Sequence, residues 1–363
     1  MGINKTLLAL LNGIDQYKMD DDYGLKINEV HEFMYLKTNK TDFPRKQEKA
    51  VGIIKEIMIA HKKDQLYPYL KELADFEYNA RGIAPYLRDH VVHALLSFIL
   101  GICIKEKFIK YFKQKDEVSE LQWKIAGLFH DIGYPLEVAS NIMGSFTKKI
   151  NCLKNKIDIN ASDVNIEITP VRLGKLTNDC SLCLIQDYLD NDKGFSINVK
   201  EECIKMIGSG RISHGMISSL TVLYIVDLLY QKNNSDQSNN QNDGWNRKYF
   251  YNDIVPACSA IFIHDLPKEC FSKKNQINPS KAPLAFLLRL SDCLQDWDRP
   301  SKNNRTGFSD DQYDIDISNN RLTFTVEDKD QRAKIYKEIS ETLDINSRID
   351  EQCSEIILAF QNP

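Results

Sequence analysis

Residues 127–135 read Gly-Leu-Phe-His-Asp-Ile-Gly-Tyr-Pro, and the interpretation of the whole chain starts from this stretch. The apolar residues in it continue a helical pattern that begins at Glu120, while the glycine and proline that follow stop a helix. We therefore predict a helix over residues 120–132. The imidazole of His130 and the carboxylate of Asp131 then lie in an apolar segment, where an uncompensated charge is costly. Such a carboxylate needs a hydrogen-bonding partner, a proton or a metal ion.

Further polar side chains occur in segments that otherwise have the composition of a helical core. Asp292 interrupts the apolar run 284–294, and five of the seven histidines have similar surroundings. These five are His90, His93, His130, His214 and His264. A single histidine in a core helix is usually a hydrogen-bonded structural residue. One shared metal centre would account for the whole set, because a divalent cation balances carboxylates that are surrounded by neutral imidazoles.

The composition limits the classes of protein to consider. The chain has 363 residues, of which 42% are hydrophobic and 27% are charged, and its formal net charge is −4. These values exclude a wholly disordered chain and a collagen-like or disulfide-stapled one. The acidic balance argues against binding along long nucleic acids, but it does not exclude a local basic pocket for one nucleotide. No apolar run is long enough for a membrane span.

The cysteines indicate the compartment. Nine are scattered along the chain, and the one close pair, Cys180 and Cys183, lacks a second such pair to complete a zinc site. We interpret the thiols as reduced, which predicts a cytoplasmic protein. Two further histidines, His31 and His61, lie in charged surroundings and are interpreted as solvated surface residues.

Helical periodicity predominates, so we predict a mainly all-α fold with a small C-terminal β-hairpin. Residues 1–80 are expected to form an N-terminal helical cap. Residues 81–300 would form the core, with an irregular insertion at 151–198 and a flexible loop over 231–244. Residues 301–363 would add a hairpin, indicated by alternation over 313–317 and 322–326, and a helix over 333–360 that breaks near residues 344–347.

The polar positions follow one another in a distinctive order. In the sequence they are His93, the pair His130-Asp131, His214, His264 and Asp292. This order, over about residues 88–300, resembles the HD superfamily of metal-dependent phosphohydrolases, whose pattern is His, His-Asp and Asp. Extra histidines before the last aspartate mark the two-metal members of that superfamily. The residues around the His-Asp pair and those at 295–297 (Gln-Asp-Trp) are most similar to the branch found in bacterial conflict (anti-phage) systems.

The resemblance implies an HD-type helical core that binds two divalent ions. The first ion would be held by His93, His130, Asp131 and Asp292. Asp131 would bridge to a second ion, which is held also by His214 and His264. Nitrogen and oxygen ligands suit Mn, Fe, Co or Zn, with Mg as a further candidate. A second His-Asp dipeptide occurs at 264–265, and we interpret Asp265 as a helix-end residue.

The resemblance also implies hydroxide attack on phosphorus, in which Asp131 and His90 are the catalytic residues. His90 would donate a proton to the leaving oxygen or bind a phosphate. The alternative is an outer-shell hydrogen bond from His90 to Asp89 or to a ligand carboxylate.

Two arginines and two carboxylates complete the predicted site. Arg88 and Arg299 are candidates for phosphate or ribose contact, because guanidinium binds phosphate in a bidentate manner. Each of them is equally a candidate for a surface ion pair. Glu137 and Asp296 are candidate outer-shell carboxylates, the latter four residues after Asp292 and so predicted on the same helix face.

Three classes of function follow. The first is a nucleotide phosphohydrolase, chiefly a (deoxy)nucleoside triphosphate triphosphohydrolase, or else a phosphodiesterase or nuclease on cyclic or short oligonucleotides. The resemblance to the conflict-system branch implies a role in anti-phage defence. The second is a di-iron oxygenase, since some HD-fold proteins use the same ligands to activate dioxygen. The third is a non-catalytic nucleotide-sensing module. A nucleotide is the expected ligand, and a homo-oligomer or a defence-system protein is the expected partner.

Overall fold

Helices account for most of the computed structural model, in agreement with the predicted mainly all-α class. The structure describes residues 2–36, 43–80, 89–108, 118–139, 180–191, 196–208, 213–235, 247–272, 275–298, 309–318 and 320–360. Most of the predicted insertion at 151–198 therefore lies outside the described residues. Within these residues, no helix is long and apolar enough to cross a membrane.

The helices of the cap precede those of the core in the chain. The cap contains α1 (Ile3–Asn12), α2 (Ile27–Tyr35), α3 (Phe43–Ala60) and α4 (Tyr67–Ala80). The described part of the core contains α5 (His90–Lys107), α6 (Glu120–Phe129), α7 (Ser181–Asp190), α8 (Val199–Gly208), α9 (His214–Ser235), α10 (Arg247–Tyr249), α11 (Val255–His264) and α12 (Pro283–Leu294). Shorter stretches are the π-helical Lys18–Tyr23 and Phe250–Ile254 and the 3₁₀ turns Asp64–Leu66, Lys268–Cys270 and Asp310–Gln312. Residues 134–139 are also helical.

Helix α5 lies at the centre of the fold. Its residues from His90 to Lys105 are all buried, because the segment is apolar on every face and cannot present a polar side to water. Helices α6, α12, α3, α4 and α1 all pack against it. The buried apolar side chains form one continuous cluster from Ile3 to Phe360, so the cap, the core and the C-terminal segment share a single interior.

Two buried polar contacts join the cap to the end of the core. The Lys46 ammonium lies 2.6 Å from the Asp298 carboxylate, and Lys46 is fully buried. The indole nitrogen of Trp297 donates to the side-chain oxygen of Asn4 at 3.0 Å. The N-terminal helices are therefore attached to the segment that directly follows α12.

The predicted hairpin forms and belongs to a larger sheet. Strands β1 (Tyr313–Ser318) and β2 (Arg321–Val326) pair antiparallel, with Tyr313 opposite Val326. Two further strands, β3 (Asn346–Asp350) and β4 (Glu355–Ala359), complete an antiparallel sheet in the order β1-β2-β4-β3.

The helix predicted over residues 333–360 is wrong in its second half. Helix α13 covers Lys329–Thr342, and the chain then forms β3 and β4. A short apolar run such as 356–358 (Ile-Ile-Leu) fits a buried helix or a strand equally well by periodicity. Pairing decides the outcome, since β4 hydrogen-bonds to β2 on one side and to β3 on the other.

Other predicted boundaries also require correction. The loop predicted over 231–244 is helical as far as Ser235, where α9 ends, and the rest of it lies outside the described residues. Helix α6 ends at Phe129, three residues before the predicted end. Helix α12 ends at Leu294, before Asp296.

His61 is not a solvated surface residue, whereas His31 is exposed as predicted. Both ring nitrogens of His61 lie 2.6 Å from the ammonium of Lys124, which is almost fully buried. Burial and the charge of Lys124 lower the pKa of His61 to about 4. Burial likewise lowers the pKa of Lys124 to about 7. The fold therefore favours the neutral imidazole at this position.

The contact between α5 and α6 depends on the absence of a side chain at Gly101. A Cβ atom there would lie 1.9 Å from the ring carbon Cζ2 of Trp123, which is itself fully buried. We expect Gly101→Ala to lower the free energy of unfolding by about 1–3 kcal/mol, because the ring has to move in a packed core. Urea unfolding monitored by circular dichroism measures this change. Gly52→Ala is the matched control: no atom lies within 4 Å of the added carbon, so helix propensity should stabilise it by about 0.5–1 kcal/mol. Equal effects of the two substitutions would contradict the proposed contact.

The shifted pKa of His61 predicts a pH dependence of stability. Between its ordinary pKa of 6.5 and the folded value of about 4, the unfolded chain takes up a proton that the folded chain does not. The free energy of unfolding should therefore fall as the pH falls through this window. In the variant His61→Gln, the free energy of unfolding should fall less over this window. Urea unfolding of both proteins across the window tests the prediction, and parallel pH profiles would refute it.

Candidate metal centre

Side chains from five helical segments meet at one place near the middle of the fold. They are His93 on α5, His130 and Asp131 at the end of α6, His214 at the start of α9, His264 at the end of α11 and Asp292 on α12. The four imidazoles form a row in which successive ring centroids are 5.1–5.2 Å apart. The structure thus brings together all six residues that the sequence singled out as metal ligands.

The first group of potential ligands surrounds His93. Its Nε2 atom lies 3.2 Å from Nε2 of His130 and 2.9 Å from Oδ1 of Asp292. The Asp131 Oδ2 atom lies 3.6 Å from Nε2 of His130. Ligands bound about 2.1 Å from one ion are about 3.0–3.4 Å apart when they are adjacent. The observed spacings are close to those of ligands that share an ion.

The second group uses the other oxygen of the same aspartate. Asp131 Oδ1 lies 3.3 Å from Nε2 of His214. Ligand atoms of Asp131, His214 and His264 all lie within 4.8 Å of one another. The Nε2 atom of His264 is buried and has no hydrogen-bond partner among the described residues. An unpartnered nitrogen of this kind is costly unless a cation binds to it.

All four histidines direct the same nitrogen to the centre. In each of them Nδ1 contacts an oxygen that can accept its hydrogen. These acceptors are Gln295 Oε1 for His93, the Gly127 carbonyl for His130, Glu137 Oε2 for His214 and the Ile261 carbonyl for His264. With the hydrogen on Nδ1, the neutral ring presents the Nε2 lone pair to the centre. Outer hydrogen bonds that fix the tautomer in this way are typical of metal-binding histidines.

The carboxylates and imidazoles of the centre shift one another's pKa values. Burial disfavours the charged forms of Asp131 and Asp292, but the surrounding histidines outweigh it and hold the pKa of both carboxyls below their ordinary range. Burial also opposes a charge on His214, yet its carboxylate neighbours raise the pKa of this imidazole to about 10. Burial and the adjacent histidines lower the pKa of His264 to about 4.

Two carboxylates support His214. Its Nδ1 atom lies 2.8 Å from Oε2 of Glu137 and 3.1 Å from Oδ2 of Asp265. The same Asp265 oxygen accepts a hydrogen bond from the hydroxyl of Ser213 at 2.7 Å. The structure places Glu137 where the sequence predicted an outer-shell carboxylate. Asp265 does follow the end of α11, but its interpretation as a helix-end residue alone is incomplete, because it also contacts His214.

Glycines allow the elements of the site to approach closely. A Cβ atom at Gly133 would lie 2.6 Å from the His214 carbonyl oxygen. A Cβ atom at Gly215 would lie 2.8 Å from the Ile261 carbonyl oxygen and 2.9 Å from the ring of His264. The turn after the His-Asp pair and helix α11 can therefore both contact the first turn of α9, and this brings His214 to Asp131.

His90 lies beside the centre and is held by the cap. Its Nδ1 atom donates to Oε1 of Glu77 at 2.9 Å, and its backbone nitrogen donates to the same oxygen at 2.6 Å. Glu77 is fully buried on α4. The His90 ring stacks on Tyr134, with centroids 3.5 Å apart. Asp89, which the sequence offered as a partner, accepts from the Val92 backbone nitrogen and caps α5.

Sequence reasoning missed several residues that support the site. Glu77 lies in the cap, and no local motif singles it out. Gln295, which orients the ring of His93, belongs to the Gln-Asp-Trp motif at 295–297. The sequence therefore contained a signal for this residue. Arg289 donates to the His264 carbonyl oxygen at 2.5 Å and lies 3.9 Å from Asp292. Helical spacing from Asp292 would have indicated this arginine.

Three other predicted site residues are not part of the described centre. Asp296 accepts a hydrogen bond from Gln331 of α13, so its placement on the face of Asp292 is wrong. The reason is that α12 ends before this residue. Arg88 and Arg299 lie outside the described residues.

The donor set fits divalent metal ions. Its atoms are imidazole nitrogens and carboxylate oxygens, with no thiolate, which suits Mn, Fe, Co or Zn and leaves Mg as a candidate. The two groups of ligands share Asp131, so they are arranged for a pair of neighbouring ions.

We expect Asp131→Asn to abolish the second metal position and to weaken the first by more than about 100-fold, because the amide is uncharged and keeps a single oxygen for the two groups. Metal analysis after dialysis measures the stoichiometry, and titration with Co²⁺ measures the affinity. Asp316→Asn is the control, since Asp316 is exposed on β1. Retention of the full metal content by Asp131→Asn would show that this carboxylate is not a shared ligand.

The sequence of the chain matches no protein-family model and no curated protein, and its fold matches no solved structure. The functional interpretation therefore depends on the geometry of the centre.

Proposed function

We propose that this protein is a metal-dependent hydrolase of phosphate ester or anhydride bonds, with nucleoside triphosphates, including the deoxy forms, as its substrates. The observation that carries the proposal is the position of Asp131 between two groups of metal-ligating atoms. Two adjacent divalent ions are the usual means of stabilising both the attacking and the leaving oxygen in a displacement at phosphorus.

The charge of the centre supports an anionic substrate. Asp131 and Asp292 are the two carboxylates among the proposed ligands, so a pair of divalent ions would leave the inner centre with an excess of positive charge. The ions, when bound, would lower the pKa of a water molecule and neutralise phosphate oxygens. A phosphate group matches this excess better than a neutral substrate does.

The residues of the chain provide orientation and proton transfer. The Nδ1 hydrogen bonds hold the four imidazoles in the tautomer that can bind metal. His90 lies outside the proposed ligand set, and Glu77 accepts the hydrogen bond from its Nδ1 atom. In the proposal His90 donates a proton to the leaving oxygen or binds a phosphate oxygen. Tyr134 fixes the plane of the His90 ring by stacking.

A mononucleotide is preferred over a long nucleic acid for an electrostatic reason. The formal net charge is −4, whereas proteins that track a phosphate backbone usually carry a basic surface. The choice of nucleoside triphosphates within the phosphate esters and anhydrides extends the resemblance to HD phosphohydrolases. We place the reaction in the cytoplasm, where reduced cysteines are expected.

A nucleotide panel tests the proposal directly. The protein is loaded separately with Mn²⁺, Co²⁺, Zn²⁺ or Mg²⁺ and incubated with ribo- and deoxynucleoside triphosphates, cyclic nucleotides and short oligonucleotides. We expect release of inorganic triphosphate and a nucleoside, with Asp131→Asn inactive. Cleavage of only cyclic or oligomeric substrates would redirect the proposal to a phosphodiesterase. If the metal-loaded protein hydrolyses nothing in the panel, the proposed function is wrong.

The role of His90 predicts a separation of metal binding from turnover. His90→Gln should lower kcat by about 10²–10⁴-fold while the metal content stays unchanged, because a general acid is lost but no ligand is. Glu77→Gln should lower kcat less, since it removes the charge of the carboxylate that accepts from His90 but no proposed metal ligand. His31→Gln, at an exposed position on α2, is the control. A loss of metal in His90→Gln would assign this residue to the ligand set instead.

A further inference from the structure

A pair of cysteines lies at the start of α7, outside the candidate metal centre. Cys180 is the N-cap residue of this helix and is half-buried, while Cys183 is in its first turn and is exposed. The backbone nitrogen of Cys183 donates to the Cys180 carbonyl oxygen at 2.9 Å, so the two residues share one helical turn. Both are free thiols.

Their positions place the two side chains on the same turn of the helix. The N-cap side chain points over the first turn toward position N3, and the side chain at N3 points back toward the N-cap. In many helices a hydroxyl and a carboxylate or amide use these positions to cap the backbone. Here Cys180 makes no side-chain cap hydrogen bond. Cys180 therefore occupies the capping position without capping the helix.

The pair borders a cleft of about 680 Å³. Leu182 and Ile197 contribute apolar surface to it, and Gln186 and the exposed Lys200 contribute polar groups. A cleft of this size accommodates a small peptide-like molecule. The exposed sulfur of Cys183 can be reached from the cleft, whereas the half-buried sulfur of Cys180 is more protected.

We propose that Cys180 and Cys183 form a reversible disulfide by exchange with a small peptide disulfide, of which oxidised glutathione is the model. The Cys183 thiolate attacks one sulfur of the small disulfide, so that a mixed disulfide forms and one small thiol leaves with a proton. The Cys180 thiolate then attacks the Cys183 sulfur, and the second small thiol leaves with a proton. The protein loses two electrons and two protons, and the small disulfide is reduced to two thiols.

The pair differs from a thiol–disulfide oxidoreductase in its reactivity. Burial and the neighbouring Cys180 raise the pKa of the Cys183 thiol, whereas catalytic dithiols have a lowered pKa at the attacking sulfur. Exchange is therefore expected to be slow at neutral pH and faster in alkaline solution. The cysteine pair is therefore oxidised by the small disulfide and does not catalyse the oxidation of other thiols.

The location of the pair links it to the rest of the core. Helix α7 packs against α11, which ends at His264, and against α9, which begins at His214. The proposed bond joins residues within the first turn of one helix, so it can form without separating these helices. The proposal does not depend on the proposed hydrolase function, and its test requires no enzymatic turnover.

The test uses the full chain with Cys353→Ser as background, because Cys353 is an exposed thiol outside the pair. Reduced protein is incubated with oxidised glutathione, residual thiols are alkylated, and the products are located by peptide mass spectrometry. We expect a disulfide between Cys180 and Cys183, which dithiothreitol reverses. Adding Cys180→Ser should leave a glutathione adduct on Cys183, at least about tenfold more abundant than without this change.

Two results would overturn the proposal. One is a lasting glutathione adduct on Cys183 in the chain that retains Cys180, since the second sulfur would then not resolve it. The other is the absence of both the adduct and the disulfide under conditions in which unfolded protein is fully oxidised. Circular dichroism of each variant confirms that it is folded before the reaction is measured.

Discussion

The candidate centre brings together lone pairs that positive charge between them would stabilise. The Nε2 atoms of His93 and His130 are 3.2 Å apart, and their hydrogens are committed to Nδ1 by outer acceptors. Two acceptors at this distance repel each other in a buried place, where the dielectric is low. A proton relieves one such contact, but the centre has two overlapping groups of acceptors. Divalent ions would satisfy both groups with the side chains in their present positions.

The same kind of local hydrogen bond positions two of the candidate ligands. His130 is the residue after α6, and His264 is the last residue of α11. Each donates from Nδ1 to the carbonyl three residues earlier, Gly127 in one case and Ile261 in the other. Carbonyls in the last turn of a helix lack partners within the helix. One hydrogen bond therefore completes the helix end and fixes the tautomer of a ligand.

How well the sequence predicts each structural feature depends on how far apart in the chain the interacting residues lie. Helical periodicity identifies α5, α6 and α12. Polar residues in apolar helices indicate a common centre, and the resemblance to the HD superfamily selects the six candidate ligands among them. Pairing between segments that are distant in the chain is harder to predict. The run ending at Phe360 forms a strand because β2 offers it a partner, and Asp296 turns to Gln331 because α12 ends early. Glu77 could not be predicted, since only the packing of α4 on α5 brings it to His90.

The cap is consequently part of the site and not an accessory to it. Glu77 reaches His90 from α4, and a second connection runs from α1 through Trp297 to Gln295. Asn4 accepts from the Trp297 indole, and the Trp297 carbonyl oxygen accepts from Gln295, whose own oxygen accepts from His93. A boundary at residue 80, drawn from helical patterning, therefore separates groups that act on the same centre. All of these contacts are buried. A core without its cap would therefore leave two groups without the partners that hold them: the glutamine that orients His93, and the imidazole of His90.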